Sequence, residues 1–126
     1  MRRGWTLLLG AYLLLWVPIT FANEIFAAGP SLGMRGAPAL VELAVHGVVT
    51  VLCAAAGWML LAAAPAALPV ASGAVAAAAL VSIQSLVWTR LPRQTAPGER
   101  VPLVLLILAH AIFWLVMLAR ARRRQA

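Results

Sequence analysis

Four long apolar runs dominate the pattern of hydrophobic and polar positions along the chain. They cover about residues 4–28, 38–64, 69–89 and 101–119. A helix needs about 20 apolar residues to cross the hydrocarbon core of a bilayer, and a spanning backbone must satisfy its hydrogen bonds internally. The runs show no alternation with a period of two, which would indicate a barrel. The sequence therefore predicts an all-α integral membrane four-helix bundle, a single transmembrane domain over residues 1–126.

Glycine and proline mark the connections between these runs. Residues 29–38 hold two glycine–proline breaks around the first predicted loop, and Pro65 and Pro69 bracket a tight, uncharged turn. Residues 89–100, TRLPRQTAPGER, form the third predicted connection. Pro18 falls inside the first run, and a proline there lacks the N–H that the helix ladder needs, so we expect a kink.

The composition excludes an ordinary soluble domain. Hydrophobic residues make up 64% of the 126 residues and charged residues only 10%, against about 25% charged in a typical soluble protein. A chain of this size has too little interior to bury so much apolar surface. The bilayer is therefore the predicted solvent for the protein.

Arginine supplies all ten basic side chains, and the formal net charge is +7. The arginines lie at the ends of the apolar runs, where they meet lipid head groups, so this charge predicts membrane contact and no nucleic-acid partner. Cytoplasmic flanks of membrane spans are enriched in arginine, which favours both termini inside (N-in/C-in). That orientation puts six arginines inside and four outside: Arg2, Arg3, Arg120, Arg122, Arg123 and Arg124, against Arg35, Arg90, Arg93 and Arg100.

Two further observations concern the location of the protein and its start. Alanine is abundant and lysine and aspartate are absent, as in GC-rich bacterial genomes, so we predict a multi-pass protein of the bacterial inner membrane with a basic tail at residues 120–126. Residues 1–22 also have the basic start, apolar centre and small-residue end of a cleavable signal peptide. The apolar stretch resumes afterwards, and Tyr12 and Trp16 are bulky for such a region, which favours an uncleaved first span.

Polar residues follow one face of the second run. Spacings of four, four, three and four place five residues on that face: Glu42, His46, Thr50, Cys53 and Gly57. A weaker stripe in the first run consists of Thr6, Gly10, Thr20 and Glu24. Cys53 is the single cysteine, so there is no CxxC pair and no internal disulfide, and a thiol-redox membrane enzyme is not predicted.

The polar groups cluster in the outer half of the predicted bundle. With a rise of about 1.5 Å per residue, Glu42 lies roughly 6 Å and His46 roughly 12 Å below the start of the second span. His110 lies roughly 13 Å into the fourth span, and Gln84 roughly 9 Å below Arg90. Ionisable groups inside spans usually face the bundle interior or a wet cavity, and Glu42 and His46 can bond to each other and share a proton along one helix.

This distribution predicts an outward-facing pocket for a small amphipathic ligand such as a lipid, a quinone or an isoprenoid. The predicted lining is Glu42, His46, Gln84, Trp88 and His110, with Trp16 and Trp114 as apolar walls. Arg35 lies in the glycine-rich stretch SLGMRGAP and is expected to close over the pocket, pairing with Glu24, Glu42 or an anionic ligand. The alternative for Arg35 is a loop charge that meets head groups.

Several alternatives compete with the pocket. The histidines have a purely structural interpretation, in which they lock the helices together by hydrogen bonds. His46 and His110 at matched depth also fit bis-histidine ligation of haem b, in a b-type cytochrome or membrane-embedded enzyme. A metal held by Glu42, His46 and His110 lacks a fourth ligand. We predict no metal, no catalytic residue and no cofactor.

Small residues suggest a second non-enzymatic role. The stretches CAAAG (residues 53–57) and GAVAAAAL (residues 73–80) present small side chains at spacings of three and four. Such faces let helices approach closely, either within the bundle or against a partner membrane subunit or a second copy of the chain. The predicted function is therefore ligand binding in the outer pocket or service as an accessory subunit of a larger membrane complex.

Overall fold

The computed structural model describes residues 4–93 and 95–125, and every regular element among them is helical. Four helices are long and apolar enough to cross a membrane: α1 (Gly4–Arg35), α2 (Ala37–Leu61), α3 (Ala67–Val87) and α4 (Pro97–Gln125). The all-helical fold with four long apolar helices, predicted from the sequence, is confirmed for these residues. Arg2 and Arg3, which enter the orientation argument, lie outside the described residues, as does Ala126 at the end of the tail.

Large apolar side chains are exposed along the middle of these helices. Examples on three of the helices are Leu8, Leu15, Val48, Val51, Leu105 and Leu106. A contiguous apolar exterior of this kind is unfavourable in water and is the surface that lipid chains contact in a membrane bundle. The exterior therefore agrees with the apolar composition of the four helices.

Helix α1 changes its winding along its length. An α-helical start (Gly4–Ala11) leads into a π-helical turn (Tyr12–Trp16), followed by regular α-helix (Val17–Ala28). The π-helical turn ends two residues before Pro18, the position where the sequence predicts a kink. Proline has no N–H to donate and its ring crowds the carbonyl four residues earlier, so a local change of winding accommodates it.

The first predicted loop is mostly helical, which differs from the sequence-based prediction. A 3₁₀ turn (Gly29–Ser31) and a short helix (Leu32–Arg35) carry α1 almost to α2. The Ser31 hydroxyl accepts a hydrogen bond from Arg35 Nε at 2.7 Å, one helical turn later. Only Gly36 breaks the helix, with a φ of 80° that glycine adopts without strain.

The turn between α2 and α3 closes with two backbone hydrogen bonds of the Schellman type. Ala64 N–H donates to Met59 O at 2.9 Å, and Ala63 N–H donates to Leu60 O at 3.2 Å. Ala63 has a φ of 55°, in the left-handed region where glycine is the usual residue. This turn therefore contains a strained alanine.

Consecutive helices pack against each other, α1 on α2, α2 on α3 and α3 on α4. Short connections make such neighbours antiparallel. Aromatic rings join α1 to α4: the Trp5 and Trp114 centroids are 6.4 Å apart, and those of Tyr12 and His110 are 5.3 Å apart. We call the end that holds the α1–α2 and α3–α4 connections the polar end, and the opposite end the apolar end.

The closest helix contact lies towards the apolar end. A Cβ atom added at Gly57 would lie 2.6 Å from Gly10 O and 2.7 Å from Leu14 N, so the backbones of α1 and α2 touch there. Small residues permit this approach between membrane helices. The core around this contact is built from buried small and aliphatic side chains, including Leu9, Leu13, Cys53, Ala56, Leu60, Ala71, Ala74 and Leu118.

Candidate functional site

His46 is the centre of a hydrogen-bonded cluster at the polar end. Its side chain is only 3% exposed, so both ring nitrogens need partners inside the protein. Nδ1 lies 2.5 Å from Glu24 Oε1 of α1, and Nε2 lies 2.9 Å from Gln84 Oε1 of α3. The imidazole of α2 therefore ties three helices together through directional contacts.

The amide of Gln84 determines where one proton of His46 lies. Its Nε2 donates to Glu42 Oε1 at 3.0 Å and to Trp88 O at 3.1 Å, so its oxygen faces the imidazole. An amide oxygen only accepts, and His46 Nε2 must therefore carry a hydrogen. One further proton lies between His46 Nδ1 and Glu24 Oε1, on either the imidazole or the carboxyl group. This pair has the chemistry to hold and exchange a proton.

Glu42 closes the carboxyl end of α3 and anchors the following loop. Its Oε1 accepts from Thr89 Oγ1 at 2.5 Å as well as from Gln84, and its Oε2 accepts from Arg90 N–H at 2.8 Å. Leu91 N–H in turn donates to Thr89 Oγ1 at 3.0 Å. The carboxylate lies 4.0 Å from His46 Nε2, with the Gln84 amide bonded to both groups. Glu42 is thus held by three donors and positions the loop that covers the cluster.

Arg35 and Trp88 lie at the edge of this cluster. The Arg35 guanidinium donates from Nη1 to Arg90 O at 3.0 Å and from Nε to Ser31, so its partners here are oxygens of loop and helix, where the sequence suggested Glu24 or Glu42. The Trp88 indole is exposed, and the residue joins the cluster through its carbonyl oxygen. Arg35 therefore links the α1–α2 connection to the α3–α4 loop.

A partly open cavity of about 350 Å³ lies beside the cluster and is lined by all four helices and the α3–α4 loop. Glu24 and His46 form part of its wall. Its other polar lining comes from Tyr12, Thr20, Thr50, Ser82, Ser85, Thr89, Arg93 and Thr95, and its apolar lining includes Trp16, Val17, Phe21, Val49, Leu103 and Ile107. Glu42 and Gln84 stand behind His46 and do not line this cavity.

His110 belongs to a second, neighbouring cavity of about 310 Å³. Its Nε2 accepts a hydrogen bond from Trp114 Nε1 at 3.0 Å, and its ring packs on Tyr12. The two cavities share four lining residues, namely Tyr12, Ala78, Ser82 and Ile107.

The structure thus distributes the predicted pocket residues over three places. His46 and Trp16 line the first cavity, His110 lines the second, and Glu42 and Gln84 form the cluster behind His46. Haem ligation by His46 would require the loss of its bond to Glu24 or to Gln84, because both ring nitrogens are engaged.

Sequence reasoning missed Glu24 as a principal site residue. The signal was present in the spacing of Thr20 and Glu24, which puts both on one face of α1. Both side chains line the first cavity, and Glu24 makes the short contact with His46. The spacing could not reveal which face of α1 turns towards α2, because that depends on how the two helices pack.

Comparison with known proteins does not assign this chain to a family. No protein-family model, curated protein or solved structure matches the chain. The cluster around His46 and the two cavities beside it are therefore the features that can indicate a function.

Proposed function

We propose that this protein is a non-enzymatic membrane protein that binds one small amphipathic molecule in the first cavity. The observation that carries the proposal is a cavity of about 350 Å³ between all four helices with the Glu24–His46 pair in its wall. Natural ligand pockets span about 300–1,000 Å³ and combine apolar walls with a few polar groups that orient the ligand. The cavity has both properties.

The distribution of polarity along the cavity supports an elongated ligand. Glu24, Thr89 and Arg93 lie towards the polar end, whereas Tyr12 and Ile107 lie where the second cavity begins. Twelve residues separate Glu24 from Tyr12, which corresponds to about 18 Å along a helix. A ligand with its head at Glu24 and an apolar tail directed at Tyr12 matches this arrangement.

Filling the cavity tests the proposal without touching the polar cluster. Ala78 lines both cavities, and Ala78→Leu adds three carbons to that wall. The matched control is Ala77→Leu, one residue earlier on α3 and outside both linings. Native mass spectrometry of protein released from lipid nanodiscs counts the bound molecules.

We expect a co-purified small molecule on the unaltered protein and on Ala77→Leu, and its loss in Ala78→Leu. Equal occupancy in all three proteins, or no bound molecule in any of them, would contradict ligand binding in the cavity. Thermal unfolding of each variant checks that the added side chain has not simply prevented folding.

The proposed setting is the bacterial inner membrane, with both termini in the cytoplasm and the polar end outside. Arg120, Arg122, Arg123 and Arg124 occupy the last turns of α4, and cytoplasmic ends of spans are enriched in such residues. In a Cys53→Ala background, Gly98→Cys and Gln125→Cys place one thiol at each end of the bundle. A membrane-impermeant maleimide added to intact cells should label the first and spare the second; the opposite pattern would reverse the orientation.

A further inference from the structure

Building on the proposed ligand site, we infer that the head group of the ligand is a hydrogen-bond donor, an amine or an alcohol, and that the Glu24 carboxylate receives it. The polar atoms around the first cavity that have no partner within the protein are the ones that can hydrogen-bond to a ligand. Four lining residues already use their side-chain donors within the protein, namely Thr20, His46, Thr50 and Thr89, whereas a carboxyl oxygen of Glu24 remains able to accept.

The donors near the polar end of the cavity are engaged. Both nitrogens of His46 are held by Glu24 and Gln84. The hydroxyls of Thr20 and Thr50 donate to backbone carbonyls of their own helices, at 2.7 and 2.8 Å. The hydroxyl of Thr89 donates to Glu42 at 2.5 Å. A carbonyl or ether head group placed beside Glu24 and His46 would have to displace one of these bonds or turn to the hydroxyls of Tyr12, Ser82 or Ser85.

Glu24 is the acceptor that faces the cavity. Its Oε1 bonds to His46, while its Oε2 has no hydrogen-bond partner among the residues that the structure describes. The side chain is 23% exposed and lines the cavity, so a ligand reaches it. A carboxylate oxygen accepts but does not donate, and it binds ammonium or hydroxyl groups.

The charge of the cluster also favours a donor. Glu24 and Glu42 are two carboxyl groups, and the one proton between Glu24 and His46 balances only one negative charge, whichever of the two groups holds it. Glu42 is held by Gln84, Thr89 and Arg90 N–H and does not line the cavity. The Glu24–His46 pair is neutral as a unit, so the cluster as a whole carries one net negative charge, and an anionic head group beside Glu24 would be repelled by it.

Other charged or polar lining groups do not reverse this preference. Arg93 lies in the exposed α3–α4 loop, with Nη1 3.5 Å from Leu86 O, so its charge is at the rim of the cavity. The hydroxyls of Tyr12, Ser82 and Ser85 both donate and accept, and they are uncharged. An anionic ligand held by Arg93 would therefore keep its head at the rim of the cavity.

Four photoreactive probes test the inference on the unaltered protein in nanodiscs. They share one alkyl-diazirine tail and differ in the head group: a primary amine, an alcohol, a methyl ketone or a carboxylate. Peptide mass spectrometry locates the labelled residues, and competition by unlabelled probe separates saturable binding from partition into lipid. We expect saturable labelling of the cavity by the amine and the alcohol, and at least about tenfold weaker labelling by the ketone and the carboxylate.

The variant Glu24→Gln sharpens the assignment. Its amide oxygen still accepts a hydrogen bond but carries no charge, so amine labelling should fall about tenfold while alcohol labelling changes less. Glu99→Gln is the matched control, because Glu99 lies outside both cavity linings and caps the turn that starts α4. The comparison of the four heads on the unaltered protein remains decisive even if Glu24→Gln folds poorly.

The outcomes separate the inference from the proposed function. Labelling of the cavity by all four heads with equal strength, or preference for the ketone or carboxylate, would overturn the inference while binding itself stands, provided that Ala78→Leu abolishes the labelling. Absence of saturable labelling by every probe, or labelling that Ala78→Leu does not alter, would overturn the proposed function and the inference with it.

Discussion

The two ends of the bundle hold their helices together in different ways. Towards the apolar end, Gly57 meets the backbone of Gly10 and Leu14 directly. Towards the polar end, the corresponding glycine of α2 meets a side chain: a Cβ added at Gly47 would lie 3.2 Å from the ring of Phe21. Glycines without side chains let the two backbones touch at the apolar end. At the polar end, the ring of Phe21 and the Glu24–His46 pair keep α1 and α2 apart.

This difference determines where a ligand site can exist. Close backbone contact leaves no space for a ligand, and dispersion between small residues has no strong directional preference. At the polar end, hydrogen bonds fix the helices at a distance that leaves a cavity, and each bond requires a specific partner. Single substitutions can therefore disrupt the close backbone contact at the apolar end and the hydrogen bonds at the polar end separately.

The largest expected effect comes from overpacking the apolar end. Gly57→Leu forces a side chain into the backbone of α1, and we expect a loss of at least about 3 kcal/mol in the free energy of unfolding. Gly73→Leu is the control, since a Cβ at Gly73 has nothing within 4 Å, and its cost should be small. Unfolding by SDS in mixed micelles measures both; similar costs at the two glycines would mean that α1 and α2 do not touch at Gly57.

A smaller effect is expected from removing the centre of the polar cluster. His46→Ala leaves Glu24 and Gln84 without the partner that the imidazole provides, and the expected loss is about 2–3 kcal/mol. His110→Ala is the control, because His110 is exposed and hydrogen-bonds only to Trp114 among the described residues, so its loss should stay below about 1 kcal/mol. The same SDS titration compares them, and equal losses would remove the distinction between the two histidines.

The smallest effect concerns the α2–α3 turn at the apolar end. Ala63→Gly relieves the left-handed backbone and should stabilise the protein by up to about 1 kcal/mol. Ala62→Gly is the matched control: Ala62 has a φ of −81°, so glycine there only adds freedom to the unfolded chain and should destabilise by about 0.5–1 kcal/mol. Opposite signs in thermal unfolding are the expected result, and equal signs would contradict the left-handed conformation of Ala63.

The sequence predicted the helices better than the connections between them. Apolar length alone identified four long helices, because a bilayer leaves the backbone few alternatives. The stretch SLGMRGAP was expected to be a loop on account of its glycines, yet Gly33 is helical and only Gly36 needs a positive φ. The hydrogen bond from Arg35 to Ser31, one turn earlier, stabilises the helical conformation of this stretch. The number of glycines does not indicate that such a bond forms.

Candidate site residues on a single helix were easier to predict than contacts between helices. The spacing of Glu42 and His46 placed both on one face of α2, and they do belong to one cluster with Gln84. Depth estimates put His110 level with His46, but depth says nothing about rotation around the helix axis. In the structure, His110 contacts Tyr12 and Trp114. Both ring nitrogens of His46 are bonded to other helices, one to Glu24 of α1 and one to Gln84 of α3.

The sequence by itself determined the helical class, the four long apolar helices and the concentration of polar groups at one end. These follow from hydrophobicity and from periodicity, which are local properties of the chain. Only the tertiary structure decided that Glu24 meets His46, that Glu42 anchors the α3–α4 loop, and that His46 and His110 line two different cavities. These contacts join residues 22 and more positions apart, and they depend on how each helix is rotated and packed against its neighbours, which no single stretch of sequence encodes.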